Sequence, residues 1–596
     1  MSINARLWNK CLDAALASAT ASFVVSLTRG TLSSPSFKAY IAQDAFYLKS
    51  FQRAFASAAT ICKDSSDSFG VDHFESLRLN VENELKMHAE FAKSLEIDLT
   101  TVRPLPQTLM YTDFLDATAT TSTVSHICAA TTPCMTLYAW LGQRAKERGL
   151  DRHNNPYKRW IEEYSSDGFQ KHARNLEMLL DHYAVKDGAT FEELVKLYAK
   201  AMELEYDFFS AHTTSSWSGM QPGILGVDFD DTISDKDTIS RLCTAGLKVR
   251  GAANDDVYTG LLNNYGAKYN TFMSSSLPSS PAEVFKQADV DAFIKAHTEF
   301  EDSMLDPVEE STILRGITPQ ILSDLAKDVE LKPNAAETLS YAMKRLPSVD
   351  VNIVSVNWSK KFLQNVLTDR LPAKKYVVHA NELAGISSLD DTAAAADDAV
   401  STGAINRVLT GPDHKRNLMK SLRKPGKPTV YIGDSLGDLA ALLEADVGIV
   451  IGSSSSLRRV CSLYGITIKS VEDLIFMDLE EKNVPRAALY AAESWAHIGF
   501  CVFGKGYTSS WLSRWAKDIY GLPDVSGDIP RVLSVAGSDS GVSTTTDRPA
   551  VRALFNSRFP FSGDCVYSYV LTYVHTKSYS TDSFLILYHN VCYCVV

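Results

Sequence analysis

Basic residues are in short supply in this 596-residue sequence: 59 Lys and Arg stand against 71 Asp and Glu, a net charge of −12. That balance leaves no basic stripe for a nucleic-acid backbone, so no nucleic-acid partner is expected. The ten cysteines form no C-x-x-C pair and repeat no spacing, which argues against a disulfide framework or a zinc knuckle and for a reducing compartment. No stretch reaches the ~18–20 uninterrupted apolar residues of a membrane span, and no membrane partner is expected either. The opening MSINARLWNKCLDAAL enters an amphipathic helical pattern at once, without the apolar core of a signal peptide or the Arg/Ser-rich make-up of a transit peptide. The expectation is a soluble protein of the cytosol, with a mitochondrial site as the alternative. What is present is ordinary globular material, 45% apolar and 22% charged, in a chain long enough for roughly two to four domains.

Residues 1–212 carry apolar positions at three- and four-residue spacing, as in FKAYIAQDAFYLKSFQRAFASAA, and show no alternating run. They predict an all-α domain, with Ser36 and Asp72 as candidate helix caps and the proline-rich TVRPLPQT as a break. A polar linker, 213–222, leads to the first strand, ILGVDF. Helical pattern returns over about 236–346, followed by the short strands VDVNIVSV, KYVVHA, PTVYIGD and VGIVIG. Strands alternating with helices predict a doubly wound parallel sheet over 223–520, with the helical block as an inserted cap. The Ala/Asp/Ser-rich 387–404 reads as a surface excursion. Residues 521–596 are an irregular tail, too short to bury a core alone.

The run GVDFDDT puts Asp228, Asp230 and Asp231 at the end of a buried strand, where like charges repel. In a parallel sheet the carboxyl ends of strands form the ligand crevice. Asp228 and Asp230, alternate along the chain, can share one pocket, one to attack phosphorus and the other to handle the leaving group's proton. Mg²⁺ suits carboxylate, water and phosphate oxygens and would offset the repulsion. Ser355 ends the next strand and could hold a phosphoryl oxygen, Lys415 could neutralise phosphate charge, and Asp434 and Asp438 end a third strand in YIGDSLGD. Four such motifs in order over about 230 residues resemble the haloacid dehalogenase (HAD) superfamily. The resemblance implies an α/β HAD Rossmann-like domain with a helical C1 cap, Asp228 as nucleophile, Asp230 as acid, Ser355 and Lys415 on the phosphate, and Mg²⁺ on Asp228, Asp230, Asp434 and Asp438.

In the helical half, ATTPCMTLYAWLG sets a proline and Cys134 at an apparent helix start, where the dipole favours thiolate. Asp44 and Tyr47 stand three apart in QDAFYL, Glu205 and Phe208 likewise in MELEYDFF, and Tyr111, Tyr138 and Tyr164 lie on other helical segments. Together these resemble the TenA/thiaminase II family, over residues 8–212, in its cysteine-containing branch. The resemblance implies an all-α TenA-like (haem-oxygenase-like) bundle with an aminopyrimidine site needing no cofactor. There Cys134 attacks the ring, Glu205 manages protons and Asp44 holds the ring nitrogen and amine, while Tyr47, Tyr111, Tyr138, Tyr164 and Phe208 stack on or orient the pyrimidine. Glu84 and His88, i and i+4 on a helix, raise a di-iron alternative, but no second Glu/His element accompanies them, so a solvated or packing pair is expected.

The order of the two halves is similar to that of plant bifunctional thiamine-salvage proteins. It implies an aminopyrimidine aminohydrolase joined to a Mg²⁺-dependent thiamine monophosphate phosphatase, both acting on small molecules, with a homo-oligomer possible through the helical domain. The competing expectations are a phosphatase for another small phosphomonoester beside a pyrimidine-binding, non-catalytic helical domain, and a non-catalytic sensor. The tail segment VLSVAGSDSG, within 531–541, resembles the opening of a hydroxymethylpyrimidine kinase, but too little chain follows for a kinase domain.

Overall fold

A computed structural model of the chain describes residues 1–213, 216–251, 256–346, 348–373, 375–387, 399–477 and 488–521. The 531–541 segment, most of the 521–596 tail and the centre of the 387–404 excursion lie outside the described residues.

The three- and four-residue periodicity folds as helices: α1 (Ile3–Ala19), α2 (Ser22–Arg29), α3 (Ser34–Asp64), α4 (Ser68–Ser94), α5 (Pro106–Thr121), α6 (Val124–Glu147), α7 (Lys158–Tyr164), α8 (Asp167–Lys186) and α9 (Phe191–Ser210). The caps differ from the expected ones. Ser33 accepts from the Ser36 N–H and Asp67 from the Gly70 N–H, so Ser36 and Asp72 lie inside their helices. Proline in the first turn of α3 favours the earlier start, because its missing N–H has no helical partner there anyway. Thr190 and Glu193 form a reciprocal capping box at α9. Long helices α3, α6 and α9 pack on one another's neighbours around an aromatic core.

The strands are β1 (Ile224–Val227), β2 (Asp350–Val354), β3 (Tyr376–His379), β4 (Glu382–Leu383), β5 (Ile405–Asn406), β6 (Thr429–Gly433), β7 (Val447–Ile451), β8 (Thr467–Ser470) and β9 (Ala488–Ala492). Among the described residues, a seven-stranded sheet runs β3-β2-β1-β6-β7-β9-β8, parallel at every pairing, and β4 and β5 form a separate antiparallel pair. The central strands are buried along their length, as a sheet covered on both faces requires. The order reverses between β1 and β6, which makes the carboxyl ends of those two strands the crevice of the sheet.

The helices of this part are α10 (Ile239–Val249), α11 (Asp256–Ser276), α12 (Gln287–Ser303), α13 (Leu305–Glu310), α14 (Pro319–Lys327), α15 (Ala335–Arg345), α16 (Lys360–Leu367), α17 (Pro412–Leu422), α18 (Leu439–Glu444), α19 (Ser455–Leu463) and α20 (Trp495–Tyr520), the last broken at Gly504. The 236–346 block is not uniform. Helix α14 packs on α16 and α15 on α20, so both belong to the layers beside the sheet, and only α10 to α13 stand over the crevice.

A buried ion cluster joins the helical part to the sheet part. Arg144 of α6 and Arg148 at its C-terminal cap clasp the Glu472 carboxylate, which follows β8, and Arg148 also reaches Asp473. Arg29 donates to the Ile475 and Glu472 carbonyls. Burial alone would raise the Glu472 pKa, but His497, Arg144 and Arg148 together hold it well below the usual carboxylate range.

Candidate active sites

In the helical part, eight residues singled out from the sequence line one cavity. Asp44 and Tyr47 come from α3, Tyr111 from α5, Cys134 and Tyr138 from α6, Tyr164 from α7, and Glu205 and Phe208 from α9. Spacings of three and four put each pair on one helix face. Helices α6 and α7 meet closely because position 142 is glycine: a Cβ there would lie 2.6 Å from the Tyr164 Cβ. The cavity is shut down to about 10 Å³, room for roughly one water.

Its electrostatics follow from burial. Tyr111 Oη donates to Glu205 Oε1 at 2.7 Å. Desolvation pushes the Glu205 pKa up to about 7, with hydrogen bonds from Tyr111 and Cys134 limiting the rise. The Cys134 thiol is pushed well above its ordinary value by burial and by the charge of Glu205. This corrects the helix-dipole argument. Cys134 sits in mid-helix, because α6 begins at Val124 and runs through Pro133, so no helix end stabilises a thiolate there. Asp44 is also held well above the ordinary carboxylate value, by burial and by Glu84 and Glu205. Of the two expectations for Glu84 and His88, a solvated or a packing pair, the structure shows the packing one. Both are buried, and His88 Nε2 lies 3.6 Å from Asp44 Oδ2 while burial pulls its pKa down to about 4. They form a layer behind Asp44.

In the sheet part, the chain leaves β1 through Asp228 and turns at Asp231, whose φ is 54°. Lys415 Nζ donates to Asp228 Oδ1 and to Asp438 Oδ1, both at 2.8 Å. Asp438 is fully engaged: Tyr431 Oη reaches Oδ1 at 2.8 Å, and the Ser435 N–H and hydroxyl reach Oδ2 at 3.1 and 2.9 Å. Its approach requires Gly433, where a Cβ would fall 2.4 Å from the Asp438 Cγ. Thr232 Oγ1 donates to Asp434 Oδ1 at 2.9 Å. Asp228, Asp434 and Asp438 each bring a carboxylate oxygen within 4.8 Å of the others.

Only Lys415 balances these three acids among the contacts described. Burial and then the Asp438 charge hold the Asp228 pKa well above its ordinary value, and the same causes push Asp434 up to about 7. Oxygen donors with surplus negative charge in a buried pocket fit a hard divalent cation, which Asp228 and Asp434 could hold; Asp438, also expected as a ligand, has both oxygens engaged by Lys415, Tyr431 and Ser435. Burial and the charges of Asp228 and Asp438 act oppositely on Lys415, and the acids prevail, keeping it protonated.

The Asp230 carboxylate is not part of that cluster. Its Oδ1 accepts from the Thr238 N–H at 2.8 Å and its Oδ2 from Asn357 Nδ2 at 3.0 Å, so both oxygens are engaged by protein donors. Burial pushes its pKa up to about 6 against these bonds. Ser355, fully buried at the end of β2, accepts from the Asn357 N–H at 3.0 Å and so lies beside the Asp230 network. A cavity of about 460 Å³ opens where these loops meet α10 to α13, floored by Val356, Trp358, Thr410 and Ser435.

Residues 19–215 match the TENA/THI-4/PQQC family. Across 574 aligned residues the chain is 29% identical to the Bifunctional TH2 protein, mitochondrial, of Arabidopsis thaliana, covering 86% of this chain and 88% of that one. The chain is similar to that bifunctional protein along most of its length. The helical part is also 28% identical over 204 residues to the Aminopyrimidine aminohydrolase of Bacillus subtilis, covering 33% of this chain and 84% of that protein. A solved structure titled Phospho-Aspartyl Intermediate Analogue of Phosphoserine phosphatase aligns at 15% identity over 40% of this chain and 90% of its own, with a TM-score of 0.25.

Sequence reasoning about this chain missed the partners that orient the acids. Thr238, Asn357 and Tyr431 lie outside the motif roles, and the contact of the Glu84 and His88 pair with Asp44 is not evident from spacing. One signal was available for the last pair, since they share a helix face with apolar neighbours in ENELKMHAEF.

Proposed function

We propose that this chain is a two-site hydrolase of thiamine salvage, an aminopyrimidine aminohydrolase in its helical part and a Mg²⁺-dependent thiamine monophosphate phosphatase in its sheet part. The observation carrying the first activity is the convergence of Cys134, Glu205 and Asp44 in one aromatic cavity. Aromatic walls with a few polar anchors suit a flat heterocycle, which enters as the walls part. Glu205, with a pKa near 7, is suited to move protons at neutral pH. It takes the Cys134 proton as the sulfur adds to the pyrimidine ring, so the high thiol pKa is met by a base within hydrogen-bonding reach. Asp44, kept protonated by burial, donates to a ring nitrogen. The exocyclic amine leaves with the proton from Glu205. Water then adds at the methylene carbon that the amine left and gives a proton to Glu205; the ring nitrogen returns its proton to Asp44 as the sulfur departs, and Glu205 reprotonates the sulfur to recover the thiol.

The second activity is carried by the Asp228, Lys415 and Asp434 geometry at the carboxyl ends of β1 and β6, under a HAD-like arrangement in which α10 to α13 act as the cap. An Asp228 oxygen attacks phosphorus and the alkoxide leaves with the proton of Asp230, giving an aspartyl-phosphate. Asp230 then takes a proton from the water that releases phosphate. Lys415 and Ser355 hold phosphoryl oxygens. Mg²⁺ on Asp228 and Asp434 would supply charge neutralisation of the phosphoryl group. The Arabidopsis relative is named as mitochondrial, which favours that location over the cytosol for this chain too.

The test uses the purified full-length chain with Mg²⁺. Phosphate release from thiamine monophosphate should be abolished by Asp228→Asn, and ammonia release from aminomethyl-pyrimidine by Cys134→Ala, each leaving the other activity intact. Turnover of a generic phosphomonoester but not of thiamine monophosphate would keep the phosphatase and remove its substrate. Binding of the pyrimidine without ammonia release would leave the helical part a recognition domain.

A further inference from the structure

The cavity over the acid cluster has a lining that constrains what leaves from phosphate. Its floor is made by residues adjoining the catalytic ones, with Ser435 next to Asp434 and Trp358 next to Asn357. Its walls are mainly aromatic and apolar, with Asn264, His297 and Ser456 among them, and no Lys or Arg lines it among the described residues. An anionic leaving group, such as an amino-acid carboxylate or a second phosphate, would shed its water here and meet no cation. Two carboxylates line the cavity instead, Asp237 and Glu301. Asp237 is committed to the start of α10, where it accepts from the Ile239 and Ser240 N–H groups at 3.4 and 3.3 Å.

Glu301, on α12, is held differently. Tyr265 Oη donates to its Oε1 at 2.9 Å, and His297 Nε2 lies 3.1 Å from the same oxygen. Both contacts fall on one oxygen, and the side chain keeps 25% of its surface exposed, so the carboxylate is fixed yet accessible. Around it Tyr265 and Tyr269 stack at 5.7 Å with an interplanar angle of 15°. Ring faces and a carboxylate together attract a flat cation.

Resting on the phosphatase reading above, we propose that Glu301 is the specificity determinant of that site, selecting phosphomonoesters whose alcohol carries a cationic heteroaromatic ring. Thiamine monophosphate is the member of that class to test. Glu301 acts on binding of the leaving group and touches no reacting atom.

The experiment compares thiamine monophosphate with p-nitrophenyl phosphate, an aromatic ester without the positive charge, on the full-length chain with Mg²⁺. Glu301→Gln should lower kcat/KM for thiamine monophosphate about tenfold, mostly through KM, and Glu301→Lys by about a hundredfold. Turnover of p-nitrophenyl phosphate should change by less than about twofold in both, which also reports an intact fold. Equal losses on both esters, or no loss on thiamine monophosphate, would overturn the role of Glu301 while leaving the phosphatase standing. A parent chain that hydrolyses p-nitrophenyl phosphate without preferring the cationic ester overturns the selectivity outright. A parent chain that hydrolyses neither overturns the phosphatase reading and this inference with it.

Discussion

Glu205→Gln should stabilise the helical part at neutral and alkaline pH while removing its aminohydrolase activity. The carboxyl group is 1% exposed, and burial moves its pKa from 4.5 to about 7. A raised pKa means the folded state holds the proton more firmly than the unfolded one, so stability is complete below pH 4.5 and is lost as pH rises to 7. That displacement corresponds to about 3 kcal/mol above pH 7. Glutamine keeps the volume and can accept the Tyr111 hydrogen bond at Oε1, but it has no charge to desolvate. The variant should therefore match the parent near pH 4.5 and exceed it by about 3 kcal/mol at pH 8. Urea unfolding followed by circular dichroism between pH 5 and 8 measures the difference, with ammonia release as the activity control. A stability offset that stays flat across that range, or a variant less stable than the parent at pH 8, refutes the assignment of Glu205 as a desolvated acid.

Other consequences follow from the same geometry. Gly433→Ala would set a Cβ 2.4 Å from the Asp438 Cγ and displace the carboxylate that holds Lys415; phosphate release should fall at least about tenfold and stability by about 1–3 kcal/mol, with ammonia release unchanged. A chelator should stop phosphate release, restored by added Mg²⁺, and leave ammonia release untouched, because the clustered carboxylates are Asp228, Asp434 and Asp438 alone among the described residues. Glu472→Ala takes the shared acceptor from Arg144 and Arg148, about 19 and 21% exposed, and leaves them only Glu493 and Asp473; thermal or urea unfolding should register a loss of about 1.5–3 kcal/mol.

The phosphate site was legible because its residues sit at strand ends inside short runs, where VDFDD, VSV and YIGD each announce a buried strand stopping on a polar group. The aromatic cavity was legible through three- and four-residue spacing on separate helices, although periodicity alone could not say that those faces converge. Position within an element was harder. A proline before Cys134 reads as a helix start, since proline fits the first turn, yet α6 carries Pro133 in its interior because packing on α8 and α9 holds the chain helical on both sides. Asp230 shows a different failure. Alternation along the strand puts it near Asp228, but Thr238 and Asn357, contributed from 8 and 127 residues away, decide where its oxygens point. Strands β8 and β9 escaped notice because TIKS and ALYAA are short, and ALYAA carries no β-branched residue.

Helix α6 explains why the two sites share a frame. It carries Cys134 into the aromatic cavity and, ten residues further along and at its C-terminal cap, presents Arg144 and Arg148 to Glu472 of the sheet part. At 1.5 Å per residue these points lie only about 15–20 Å apart on a single rod. Neither the two arginines nor Glu472 could be buried alone without a large desolvation penalty, so each part supplies the counter-charge that makes the other's burial tolerable. His497 at the start of α20 adds a third partner to the same carboxylate, and α20 in turn packs on α1, α9 and α15. The helix that fixes the thiol is thus anchored against the sheet that fixes Asp228. Distortion of that interface should reach Cys134 through a rigid element before it reaches the carboxyl end of β1, where Asp228 is held locally by Lys415 and by its N–H bond to the Ile432 carbonyl.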